Sequence, residues 1–133
     1  MRSSTLSDNV AFIGGGAYAI NSSLALLGTA RIERNRAERI EESGRFEVDA
    51  DRLVASGLDE FADTAALDAA GGGLAALRGS NVSARDDTII AANNASVWGG
   101  GLFVASNARA VLSGRAAAVA NRAAAGGAID ASG

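Results

Sequence analysis

The hexapeptide Ile90-Ala91-Ala92-Asn93-Asn94-Ala95 decides how this chain is read, because its pattern of apolar residue, two spacers, Asn, any residue and Ala recurs. Leu6-Ser7-Asp8-Asn9-Val10-Ala11 and Ile32-Glu33-Arg34-Asn35-Arg36-Ala37 repeat it. Phe61-Ala62-Asp63-Thr64-Ala65-Ala66 repeats it with Thr for Asn, and Ala118-Val119-Ala120-Asn121-Arg122-Ala123 with a small apolar lead. The polar positions Asn9, Asn35, Thr64, Asn93 and Asn121 are separated by 26, 29, 29 and 28 residues.

Glycines keep the same phase. Gly14, Gly15 and Gly16 follow Asn9; Gly71, Gly72 and Gly73 follow Thr64. Gly99, Gly100 and Gly101 follow Asn93, Gly126 and Gly127 follow Asn121, and after Asn35 only Gly44 marks the turn. Two signals sharing one period identify an internal repeat, the first feature to settle in any such chain.

Each period holds three short apolar stretches: 17–20, 24–27 and 31–33; 46–49, 52–55 and 60–62; 74–77, 81–84 and 88–91; 102–105, 110–112 and 117–119. Runs of this length between Gly, Asn and Ser read as strands. Three strands per 26–29 residues predict an all-β fold, a right-handed parallel β-helix of about four to five coils. One coil cannot bury its own apolar face, so stacking creates the core. Glycine supplies a positive-φ corner once per coil without a Cβ penalty. The Asn/Thr positions are expected to form an amide ladder. Leu6, Ile32, Phe61, Ile90 and Ala118 are expected to form one inward column.

A helical reading competes locally. Arg34 and Glu38 lie four apart in a stretch that Gly44 could cap, so residues 37–43 are a candidate helical insert. Against helices generally, glycine runs interrupt every candidate and no long window carries an apolar stripe at helical spacing.

Composition narrows function. The 133 residues carry 12 Arg against 15 acidic side chains, with no Lys, His, Cys or Pro. Without Cys there is no disulfide or thiolate metal site, and without His or Lys no imidazole base, Schiff base or phosphate-loop lysine. The net charge of −3 gives no footprint for nucleic acid. No cofactor or metal is expected, and no apolar run approaches a membrane span or a signal peptide.

The elements Gly126-Gly127-Ala128-Ile129, Gly15-Gly16-Ala17-Tyr18 and Gly100-Gly101-Leu102-Phe103, with Ile32-x-x-Asn35, Ile90-x-x-Asn93 and Phe61-x-x-Thr64, carry a resemblance. They resemble the paired GGA-[ILV] and F-x-x-N elements of chlamydial polymorphic outer-membrane proteins, repeats of autotransporter adhesins. The resemblance implies an adhesin-like passenger at the cell surface or secreted, carried by a larger protein.

Two functions are therefore weighed. The first is a non-catalytic structural or adhesive β-helix segment spanning residues 1–133, expected to be a piece of a longer solenoid and to self-associate end to end through uncovered strand edges. Its ligand, a host surface or a polysaccharide, is not specified by the residues. The second is a polysaccharide lyase or glycoside hydrolase of the pectin-lyase-like class, which needs clustered carboxylates and often an Arg. Arg85, Asp86 and Asp87 are the candidates, with an outward acidic group at Glu47, Asp49 and Asp51; as polar turn residues and surface charge these have a simpler explanation. No carboxylate recurs in phase, which favours the first.

Overall fold

The computed structural model describes residues 2–38 and 69–132. Gly44, Phe61, Thr64, the stretches expected at 46–49, 52–55 and 60–62, the acidic group Glu47, Asp49 and Asp51, and residues 39–43 of the expected helical insert lie outside the described residues.

Within the described residues the protein is all-β. Strands β1 (Thr5–Ser7), β2 (Val10–Ala11), β3 (Ala17–Ile20) and β4 (Ser23–Leu26) form a first pass of the chain. Strands β5 (Arg31–Glu33), β6 (Arg36–Ala37), β7 (Leu74–Leu77) and β8 (Asn81–Ala84) form the second. Strands β9 (Ile89–Ala91), β10 (Asn94–Ala95), β11 (Leu102–Ala105) and β12 (Arg109–Leu112) form the third, followed by β13 (Ala117–Val119) and β14 (Ile129–Ser132). Strands from successive passes pair in parallel, giving the sheets β1-β5-β9-β13, β2-β6-β10, β3-β7-β11-β14 and β4-β8-β12.

Four described strands in each of these passes, rather than the expected three, follow from one backbone feature. The residue before each Asn takes a left-handed conformation: Asp8, Arg34, Ala92 and Ala120, at φ 58°, 55°, 53° and 53°. A single left-handed residue breaks a strand and redirects it, so each Asn-bearing stretch is split between two sheets. The same conformation ends the helical reading at this point: Ala37 is a buried strand residue paired with Ala11 and Ala95.

Register changes the inward column. Leu6 pairs with Ile32, Ile32 with Ile90, and Ile90 with Ala118. The 58 residues from Asn35 to Asn93 are thus one pairing step, where two steps of 29 were expected with Phe61 and Thr64 between.

The interior is filled by Leu26, Ile32, Leu74, Val82, Ile90, Leu102 and Val104, thinned by Ala30, Ala76 and Ala84. Burying each of the larger side chains contributes about 1.5–3 kcal/mol. Strands β7 and β11 are buried on both faces. Their second face, Ala75, Leu77, Phe103 and Ala105, joins Ala70, Ile13 and Trp98 in a separate apolar cluster. The uninterrupted apolar runs Leu-Ala-Ala-Leu and Leu-Phe-Val-Ala carry the signal for two-sided burial. Among the described residues no helix is long and apolar enough to cross a membrane.

Candidate functional site

The corner that leads from the β1-β5-β9-β13 sheet into the β2-β6-β10 sheet is the most organised polar region described. Its inner side is a ladder of amides. The Asn35 Oδ1 accepts from the Asn9 backbone N–H and Nδ2, at 3.1 and 2.9 Å. The Asn93 Oδ1 accepts from the same two groups of Asn35 at 2.9 and 3.1 Å, and the Asn121 Oδ1 from those of Asn93 at 2.9 and 3.0 Å. Each remaining amide proton goes to a carbonyl beside the core column: Asn35 to Leu6, Asn93 to Ile32 and Asn121 to Ile90. Asn35 and Asn93 are buried, and their side-chain groups are all bonded. The left-handed residue before each Asn turns its amide inward to make this possible. The Asn itself does not occupy the left-handed corner.

The glycine runs pack against this ladder. Gly14, Gly71, Gly99 and Gly126 take the positive φ of each corner, between 55° and 68°. The second and third glycines of a run serve a different need, because backbone passes where a side chain would be. A Cβ on Gly72 would collide with the carbonyl oxygens of Asn94 and Gly100, and one on Gly100 with those of Arg122 and Gly127. A Cβ on Gly73 would fall 2.5 Å from the Gly101 carbonyl and 2.8 Å from the Asn93 Nδ2. The runs also hydrogen-bond to one another, Gly15 to Gly71, Gly72 to Gly99 and Gly100 to Gly126. Gly44 lies outside the described residues.

Outside the ladder the same corner carries arginines around a groove of about 520 Å³, lined by Arg34, Arg36, Asn94, Arg122 and the corner alanines Ala92 and Ala120. Arg34 is neutralised: it forks onto Asp8 at 3.0 and 3.0 Å and reaches Glu33 at 2.9 Å. That fork holds the Asp8 carboxyl below its usual range. Arg36 meets Glu38 at only 3.7 Å, and among the described residues Arg122 makes no ion pair. Asn94 pairs with Arg36 on one side and Arg122 on the other, so the three form one exposed column. The repeat alignment contained this column, one position after each Asn.

Arg85, Asp86 and Asp87 belong to another corner, between β8 and β9. Asp86 sits at φ 59° in line with Gly28 and Gly114, and its Oδ2 accepts the Gly28 N–H at 2.9 Å. Asp87 is forked by Arg115, whose Nη2 donates at 2.8 Å, and this guanidinium holds the Asp87 carboxyl below its usual range. Both carboxylates are thus committed to structural partners, and Arg85 contributes its carbonyl to the Thr88 hydroxyl at 2.7 Å. Among the described residues no three His, Cys, Asp or Glu side chains are grouped to hold a metal ion.

Compared with protein-family models, curated proteins and solved structures, the chain matches none.

Proposed function

We propose that the four parallel sheets are the walls of a right-handed parallel β-helix, and that this chain is a non-catalytic, adhesive segment of a surface-exposed or secreted protein. The observation carrying the reading is the unbroken ladder Asn9–Asn35–Asn93–Asn121, a polar spine bonded through every described pass. A spine of this kind suits a stiff support that holds side chains at fixed spacing. The right hand follows from the chirality of parallel crossovers.

The engagement of Asp86 by Gly28 and of Asp87 by Arg115 supports a structural role for the carboxylates considered for polysaccharide cleavage. Two assays test the proposal together. Beads coated with the purified chain should adhere to cultured cells, and the chain should release no reducing ends from acidic polysaccharides. Bare-bead levels of adhesion would end the adhesive reading. Sugar release abolished by Asp86→Ala would replace it with the hydrolase or lyase.

A further inference from the structure

We infer that the groove at the asparagine corner is a binding site for an acidic glycan, with Arg36 and Arg122 taking its carboxylate or sulfate groups and Asn94 its hydroxyls. The inference deepens the adhesive reading by assigning the ligand class of that surface.

Shape and charge carry it together. Ala92 and Ala120 hold left-handed corners with only a methyl group each, so the floor is low where the neighbouring column rises. Arg36 and Arg122 stand two strand spacings apart, roughly 10 Å, with Asn94 between them. A guanidinium presents a planar fork suited to carboxylate or sulfate, and an exposed amide both donates and accepts, as paired hydroxyls require. The acidic groups nearby do not cancel the site. Asp8 and Glu33 are occupied by Arg34, and Glu38 meets Arg36 at 3.7 Å, a distance that leaves the pair loose enough for Arg36 to turn to an anion. The Arg122 backbone is held by Asn93 and Ala95, and its guanidinium makes no ion pair among the described residues.

The lining also selects against other polyanions. Among the described residues it holds no aromatic ring on which a base could stack, which single-stranded nucleic acid uses for much of its affinity. An acidic peptide has carboxylates but no array of hydroxyls for Asn94.

The test is affinity measured by biolayer interferometry on immobilised polyuronate and, separately, on a sulfated glycosaminoglycan; the stronger arm identifies the anionic group. Arg36→Ser combined with Arg122→Ser should weaken binding by about tenfold or more, the scale of losing charge-assisted hydrogen bonds. Arg109→Ser, the loss of one cation on the β12 strand, should change it less than about twofold, because charges outside the groove act weakly at physiological salt. Arg122→Ser alone, the same charge change, should weaken it more. Asn94→Ala should weaken glycan binding while leaving its salt dependence unchanged. Circular dichroism on each variant checks that the fold survives. Equal losses from Arg109→Ser and the groove variants would reduce the effect to general charge and overturn the inference. So would polyglutamate or single-stranded DNA binding as tightly as the glycans, or no glycan binding at all. In that last case adhesive beads would show that the adhesive reading stands without this ligand, whereas glycan binding by non-adhesive beads would do the reverse.

Discussion

The asparagine corner and the β8–β9 corner solve one geometric problem with different chemistry. Each turns the chain from one sheet to the next by a left-handed residue: Arg34, Ala92 and Ala120 at the first, Gly28, Asp86 and Gly114 at the second. At the first, the polar groups lie inside, bonded from level to level, with backbone packed against glycine. At the second the Thr88 hydroxyl is buried, but the charged groups lie outside, where the Arg115 and Asp87 side chains are 81 and 45% exposed. Buried polar groups are costly unless fully bonded, whereas exposed ion pairs exchange one set of water contacts for another. The asparagine corner should therefore specify register and stability, and the β8–β9 corner should tolerate change.

The sharpest way to break that comparison is Gly100→Ala. The added methyl has backbone carbonyls on two sides, from Arg122 and Gly127, and backbone cannot rotate away. The expected loss exceeds about 4 kcal/mol, a large part of a domain's stability, and the variant should fail to give a cooperative thermal transition. Gly79→Ala separates crowding from backbone conformation. Gly79 holds a left-handed φ, 67°, with open space around it, whereas Gly100 is crowded without a positive φ, so replacing Gly79 should cost only about 1–2 kcal/mol. Equal losses at Gly79 and Gly100 would mean that crowding by backbone costs no more than a left-handed φ.

Asn93→Leu comes next. It strands the Asn35 N–H and one Asn35 amide proton, together with the Ile32 carbonyl. At about 1–3 kcal/mol for each unsatisfied buried group, and with partial relaxation, the loss should be about 3–4 kcal/mol in urea denaturation. A loss under about 1 kcal/mol would mean that the ladder follows the fold without holding it.

The repeat was legible because its signals are local and periodic. The strands near 17–20, 74–77, 81–84 and 102–105 lie where the apolar runs are, and the polar template residues meet as Asn9, Asn35, Asn93 and Asn121. What the sequence hid was topological. A 58-residue step reads equally as one pass or two, and only the direct Ile32–Ile90 pairing separates them. The left-handed Arg34 and Ala92 were also hidden, since neither type favours that conformation. They adopt it because the amide behind them must point inward, a demand that arises only when passes stack. The groove is a consequence of the same demand.

Ala92→Gly sharpens the comparison from the favourable side. Ala92 holds φ 53° beside the ladder, a conformation that costs an L-residue about 1–2 kcal/mol. Glycine removes that cost but loses about 0.5–1 kcal/mol of chain entropy on folding. The balance is a gain of about 0.5–1 kcal/mol, visible as a raised urea midpoint with unchanged slope. A lowered midpoint would show that the Ala92 methyl packs productively on the corner.

The smallest effect belongs to Asp87→Asn, and it tests the exposed half of the comparison. Arg115 holds the Asp87 carboxyl below its ordinary value, so the ion pair contributes to folding above the unfolded carboxylate range and is lost as pH falls through the folded value. Wild type and Asp87→Asn should accordingly melt alike between pH 5 and pH 8 at physiological salt, where both partners are solvated and screened. Lowering the salt should open a slight advantage for wild type, and acidifying below the ordinary carboxylate range should close it again. Asp8 with Arg34 should follow the same course, since that pair is also exposed and also depresses its carboxyl. If instead Asp87→Asn at neutral pH cost as much as Asn93→Leu, burial would not be what separates the two corners. The β8–β9 ion pair would then be a second spine, and the case for Asp87 as a surface staple would fail.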